Sequence, residues 1–95
     1  MAFLKVNKKL KSLTQICFGC PDEWEGQLED GSFIFIKYRY ERLGYGIGKT
    51  PEEAVENWFK HENEMKVEGA SMETDEMLKY LGLEREGENG ILTGN

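Results

Sequence analysis

Residues 33–53 run Phe33-Ile34-Phe35-Ile36-Lys37-Tyr38-Arg39-Tyr40-Glu41-Arg42-Leu43-Gly44-Tyr45-Gly46-Ile47-Gly48-Lys49-Thr50-Pro51-Glu52-Glu53. The first sixteen residues alternate with a period of two on either side of Glu41-Arg42, which is the pattern of a β-hairpin. An even-length loop centred on Glu41-Arg42 pairs Tyr40 with Leu43, Tyr38 with Tyr45 and Ile36 with Ile47, so that six large apolar side chains share one face. The opposite face then sets Arg39 against Gly44, Lys37 against Gly46 and Phe35 against Gly48. A slip of one residue would exchange the two faces and lose the burial.

The hairpin feeds a helix start at once. Thr50 supplies the cap, Pro51 sits where its missing N–H costs nothing, and Glu53 completes a capping box. Ala54, Val55, Trp58, Phe59 and Met65 lie on one arc at helical spacing, while Glu53, Glu56, Lys60 and Glu64 lie on the other. This predicts a main helix over about 51–66.

Working outward, Asp30-Gly31 is a hairpin turn joining Ser32–Tyr40 to a strand over Trp24–Glu29. Leu13–Phe18 reads as a further strand, ended by Gly19. Residues 3–13 fit a short basic amphipathic helix or a strand over Ala2–Val6. A second short helix is expected over about 74–81, with Gly82 as its stop. The fold class is therefore α+β: an antiparallel sheet of three to four strands packed against one main helix. A single domain spans 1–83, and 84–95 are expected to form a disordered tail.

The 95 residues carry 12 Lys and Arg against 18 Asp and Glu, a net charge of −6. The acids are not spread evenly: residues 51–95 hold twelve acids and four basic residues, whereas 32–50 hold four basic residues and Glu41 alone. Nucleic acid would be repelled by such a chain, and a basic protein surface would be attracted. No apolar run is long enough to cross a bilayer and no signal peptide is evident, so a cytoplasmic protein that binds no membrane is expected.

Candidate chemistry is sparse. Gly46-Ile47-Gly48-Lys49-Thr50 suggests a phosphate loop, but the glycine that such a loop needs at position 43 is Leu. Cys17 and Cys20 lack the two further ligands of a structural zinc site and the following helix of a redox pair. His61 and the serines have no catalytic company. The expectation is a protein that is not an enzyme and has no cofactor and no metal.

The glycines at 44, 46 and 48 carry the most information. Glycine inside a strand weakens it and marks close approach by a backbone or ligand. The strip, flanked by Phe33, Phe35, Lys37 and Arg39, is either a site for a protein or a stacked nucleotide, or is covered from within the chain.

Gly48-Lys49-Thr50-Pro51-Glu52-Glu53-Ala54-Val55-Glu56-Asn57 resembles the strand-to-helix junction of HicB-type antitoxins, small β-β-β-α domains, over residues 33–62. The resemblance implies toxin binding. Residues 71–95 are too short and too acidic for the DNA-binding module that usually follows. In size and acidity the chain is also similar to small phage-encoded inhibitors of host defence, including anti-CRISPR proteins.

Together these readings lead to a binding protein that neutralises a macromolecular partner as a phage-type inhibitor of a host defence protein. Its acidic helix face, Glu53, Glu56 and Glu64, would compete for a basic surface. The alternatives are a binder of a nucleotide or cyclic nucleotide on the glycine-striped face and a HicB-like antitoxin. An exposed strand edge leaves a dimer open.

Overall fold

The computed structural model describes residues 5–19 and 21–85. The chain order is β1 (Lys8–Cys17), β2 (Asp22–Leu28), β3 (Phe33–Arg39), β4 (Arg42–Gly48), α1 (Pro51–Trp58), β5 (Glu64–Lys66), α2 (Thr74–Leu81) and β6 (Leu83–Arg85). All six strands join one sheet in the order β5-β4-β3-β2-β1-β6. The pairs are antiparallel except β1–β6, which is parallel.

This corrects the expected α+β architecture in three respects. The sheet is mixed and curls into a half-barrel of six strands rather than an antiparallel sheet of three to four, and among the described residues strand outweighs helix at 46% against 20%. The main helix ends at Trp58, not near 66, and Met65 belongs to β5. β6 runs to Arg85, so residues 84 and 85 of the expected tail are in the sheet, while 86–95 lie outside the described residues. The second helix falls where its pattern placed it, with Gly82 in the left-handed region at φ 68°.

The β3–β4 hairpin keeps the expected faces but moves its register by two residues. Tyr38 faces Leu43, Ile36 faces Tyr45 and Ile34 faces Ile47; on the other side Lys37 faces Gly44, Phe35 faces Gly46 and Phe33 faces Gly48. The loop is Tyr40-Glu41, both left-handed at φ 54° and 60°. Two such residues in succession make the tight turn whose twist matches a hairpin. Non-glycine residues resist that conformation, and local bonds offset the cost here. Arg39 stacks on Tyr40 at 4.6 Å and donates to its hydroxyl at 2.9 Å, and the Glu41 carbonyl and carboxylate accept from the backbone N–H of Val67 at 2.9 Å and Gly69 at 3.2 Å.

One face of the sheet packs under α2. Trp24, Leu28, Ile34, Ile36, Tyr38, Leu43, Met77 and Leu81 are buried together there, each contributing about 1.5–3 kcal/mol through lost apolar exposure. The Tyr38 hydroxyl donates to the carbonyls of Val67 at 2.5 Å and Gly69 at 2.8 Å. Burial, reinforced by the Glu41 and Glu76 carboxylates, raises its pKa above the usual phenol range.

At the β2–β3 turn the Asp30 carboxylate accepts from the Ser32 hydroxyl at 2.6 Å, the Ser32 backbone N–H at 2.9 Å and Lys8 at 3.0 Å. These bonds, the Ser32 hydroxyl first, hold its pKa well below the usual carboxylate range.

The opposite face receives α1. Thr50 caps it as the sequence indicates, its Oγ1 accepting from the Glu53 N–H at 3.1 Å, but the Glu53 carboxylate accepts from the Lys49 N–H at 2.6 Å, one residue before the N–H that a capping box uses. Thr50→Ala should lower the unfolding free energy by about 1 kcal/mol, read from the urea midpoint at unchanged m-value.

Candidate functional site

Eight residues are too few for a helix to persist in water on its own, so α1 depends on what it touches. It lies directly on the glycine strip. A β-carbon at Gly46 would fall 2.1 Å from the Trp58 nitrogen and 2.3 Å from the Ala54 carbonyl oxygen; at Gly48 it would fall 2.7 Å from the Ala54 nitrogen. Gly44 lies beneath the Trp58 ring and the Asn63–Glu64 segment. The strip is thus a seat that lets the helix backbone approach the strand backbone. Asn57 Nδ2 fastens the seat by donating to the Ile47 carbonyl at 2.6 Å.

The side chains flanking the strip are also engaged within the chain. Phe35 is buried and meets the Trp58 ring edge-on, with centroids 5.5 Å apart. Lys37 lies over the Trp58 ring at 4.8 Å and pairs with Glu23 at 3.4 Å. Arg39 rests on Tyr40. Phe33 is half-buried beside a shallow cleft with Ser12, Thr14, Glu25 and Pro51. Phe33, Phe35 and Lys37 are therefore brought together with Gly44, Gly46 and Gly48 beneath and around α1, which covers the glycines, whereas Arg39 is exposed at the hairpin end.

The three expected carboxylates separate. Glu56 is exposed on the outward side of α1 beside Glu52 and Glu53, and Glu53 is held in the helix cap. Glu64 sits in β5, where its carboxylate meets His61 Nδ1 and reaches Arg42 at 3.4 Å.

One exposed group escaped the sequence pattern. Phe59 shared the inner arc by periodicity, yet it stands 67% exposed at the C-terminal cap of α1. Its ring lies 5.2 Å from Trp58 and 6.1 Å from His61. His61 in turn edges a groove of about 460 Å³ that Tyr40, Arg42, Glu64 and Lys66 also line, and Tyr40 is 75% exposed. The outward surface of α1 and its exit turn therefore offers carboxylates at one end and bare aromatic rings at the other.

Among the described residues no group of three or more His, Cys, Asp and Glu is placed to hold a metal ion, and no helix is long and apolar enough to cross a membrane. Comparison with protein-family models, curated proteins and solved structures finds no match to the chain.

Proposed function

We propose that this chain is a non-enzymatic binding protein that neutralises a macromolecular partner in the manner of a phage-type inhibitor of a host defence protein, and that it docks through the outward surface of α1. The observation that carries the reading is Phe59, 67% exposed next to the carboxylates of that helix. Such a ring at the end of a charged face can serve as the aromatic anchor of a docking site, with the carboxylates as its rim. Glu52, Glu53 and Glu56 favour a basic counter-surface such as one that ordinarily holds nucleic acid. The excess of acids after residue 50 extends the same preference over the C-terminal half.

The test is titration of the full chain against purified nucleic-acid-guided defence nucleases at rising salt, with E52K/E56K and Phe59→Ala as variants. Inhibition that weakens with salt, falls by about tenfold in E52K/E56K and falls again without the Phe59 ring is expected. Binding indifferent to salt and to both variants would remove the mechanism. Capture of a small co-encoded toxin on the same surface, with the nucleases untouched, would favour the antitoxin reading instead.

A further inference from the structure

Arg39, Arg42 and Lys66 stand directly opposite one another on three adjacent strands, β3, β4 and β5. Residues paired in this way share a face. The next row along is Lys37, Gly44 and Glu64, beneath the Trp58 end of α1, so the three cations lie on the same face just past the end of the helix.

Like charges directly opposite each other weaken a sheet, and little within the chain offsets them here. Arg42 reaches Glu64 at 3.4 Å, but that carboxylate also meets His61. Arg39 stacks on Tyr40 and bonds its hydroxyl, and among the described residues neither Arg39 nor Lys66 forms an ion pair. The cations stand in water: Arg39 and Lys66 are exposed, and the Arg42 side chain is 70% exposed. A lysine on β5 would by itself serve to guard that edge. Edge protection does not call for Arg42 and Arg39, because β4 and β3 are inner strands of the sheet.

The row borders the groove of about 460 Å³ that Tyr40, Arg42 and Lys66 line with Glu62 and Glu64. Neighbouring strands lie about 4.8 Å apart, so the row spans about 10 Å. That length suits two or three carboxylates on alternate residues of an extended chain, about 7 Å apart. A longer polyanion such as a nucleic-acid strand would also meet Glu62 at the groove rim and the net charge of −6. At physiological salt a charge acts over about 8 Å, so a short acidic segment senses the row more than the acids of α2 on the other face of the sheet.

We propose that Arg39, Arg42 and Lys66 form a docking row for a short acidic segment of a partner protein. With the carboxylates of α1 and the Phe59 ring, the row makes the surface bipolar, and a partner that engages both ends carries an acidic patch next to a basic one. The row stands without the α1 proposal, and each can fail alone.

Amide NMR spectra of the isotope-labelled full chain, titrated with an octa-aspartate peptide, test the row. Shifts at Arg39, Arg42 and Lys66 that saturate in the millimolar range at low salt and fade at high salt are expected. Lys66→Glu should weaken that binding about fivefold, while its urea midpoint stays at or above that of wild type because an opposite charge then faces Arg42. A merely structural lysine would show the reverse. Octalysine should move the amides of Glu52, Glu53 and Glu56 instead, and so reads the α1 surface separately. Octa-aspartate that moves no amide of the row, binding that Lys66→Glu leaves unchanged, or a lower midpoint for that variant overturns the proposal. Octathymidylate that binds the row more tightly than octa-aspartate overturns it too, and would assign the row to nucleic acid.

Discussion

Asp22→Ala should lower the unfolding free energy by about 3 kcal/mol. Asp22 is 3% exposed and is the one charged residue in the described core. Its Oδ1 accepts from the Gly19 N–H at 2.7 Å and from Gln15 Nε2 at 3.2 Å, and its Oδ2 accepts from the Met72 N–H at 2.8 Å. One carboxylate therefore closes the β1–β2 turn and holds the segment that leads into α2, fifty residues along the chain.

The bonds continue beyond it. Gln15 Oε1 accepts from the Thr74 hydroxyl at 3.1 Å, and Thr74 Oγ1 accepts from Trp24 Nε1 at 3.0 Å. Removing the carboxylate leaves three donors to find water at the rim of the core, each costing about 1–3 kcal/mol if it finds none. Asp22→Asn should be nearly as damaging, because the amide offers one acceptor oxygen and turns a donor group toward other donors. Urea unfolding followed by tryptophan emission measures both variants. A loss below about 1 kcal/mol for Asp22→Ala would mean that the network is dispensable.

Gly46→Ala should be at least as damaging. In a strand interior alanine is ordinarily the better residue, so the expected sign is reversed. The added carbon would meet the Trp58 nitrogen at 2.1 Å, the Ala54 oxygen at 2.3 Å and the Asn57 carbonyl carbon at 2.8 Å, all of them backbone atoms of α1 that no rotamer can move. The helix would have to rise from 2.1 Å to at least 3.4 Å above that carbon to reach ordinary contact. That would stretch the Asn57–Ile47 bond and pull the Trp58 ring from Phe35 and Lys37. An eight-residue helix has little intrinsic stability with which to tolerate the loss. A cost of about 3 kcal/mol or more follows, against a total of about 5–15 kcal/mol for a domain of this kind. Circular dichroism should show weakened helix signal before the sheet melts.

The hairpin and its helix were largely legible because strict alternation and a capping box are local signals. Which residues share a face could be read from Phe33 to Gly48; which residues lie opposite could not. Tyr40 and Glu41 carry none of the Asn-Gly chemistry that marks a left-handed two-residue turn, and that displaced the register by two. The helix was read too long because Met65 continues the apolar arc, while the chain leaves the helix at Phe59 and turns through a left-handed His61 at φ 55°. Three-residue strands such as Glu64–Lys66 and Leu83–Arg85 have no periodicity to detect and exist only through their partners in β4 and β1.

The same limit applies to the candidate site. Glycines at 44, 46 and 48 announced close approach, but the sequence could not say that the approaching backbone was the chain's own. Asp22 carried no local signal of its role, since its bond to Met72 depends on tertiary structure. Phe59 read as core because it falls on the apolar arc, although it caps α1 with its ring in water.

The urea midpoint of Gly46→Ala beside wild type decides whether the glycine strip is the seat of α1, on which the placement of the docking surface rests. A fall of about 2 M, with helix signal lost first, is the predicted result. A midpoint equal to or above that of wild type would contradict the account, because it would leave room above Gly46 that the packing of α1 does not allow.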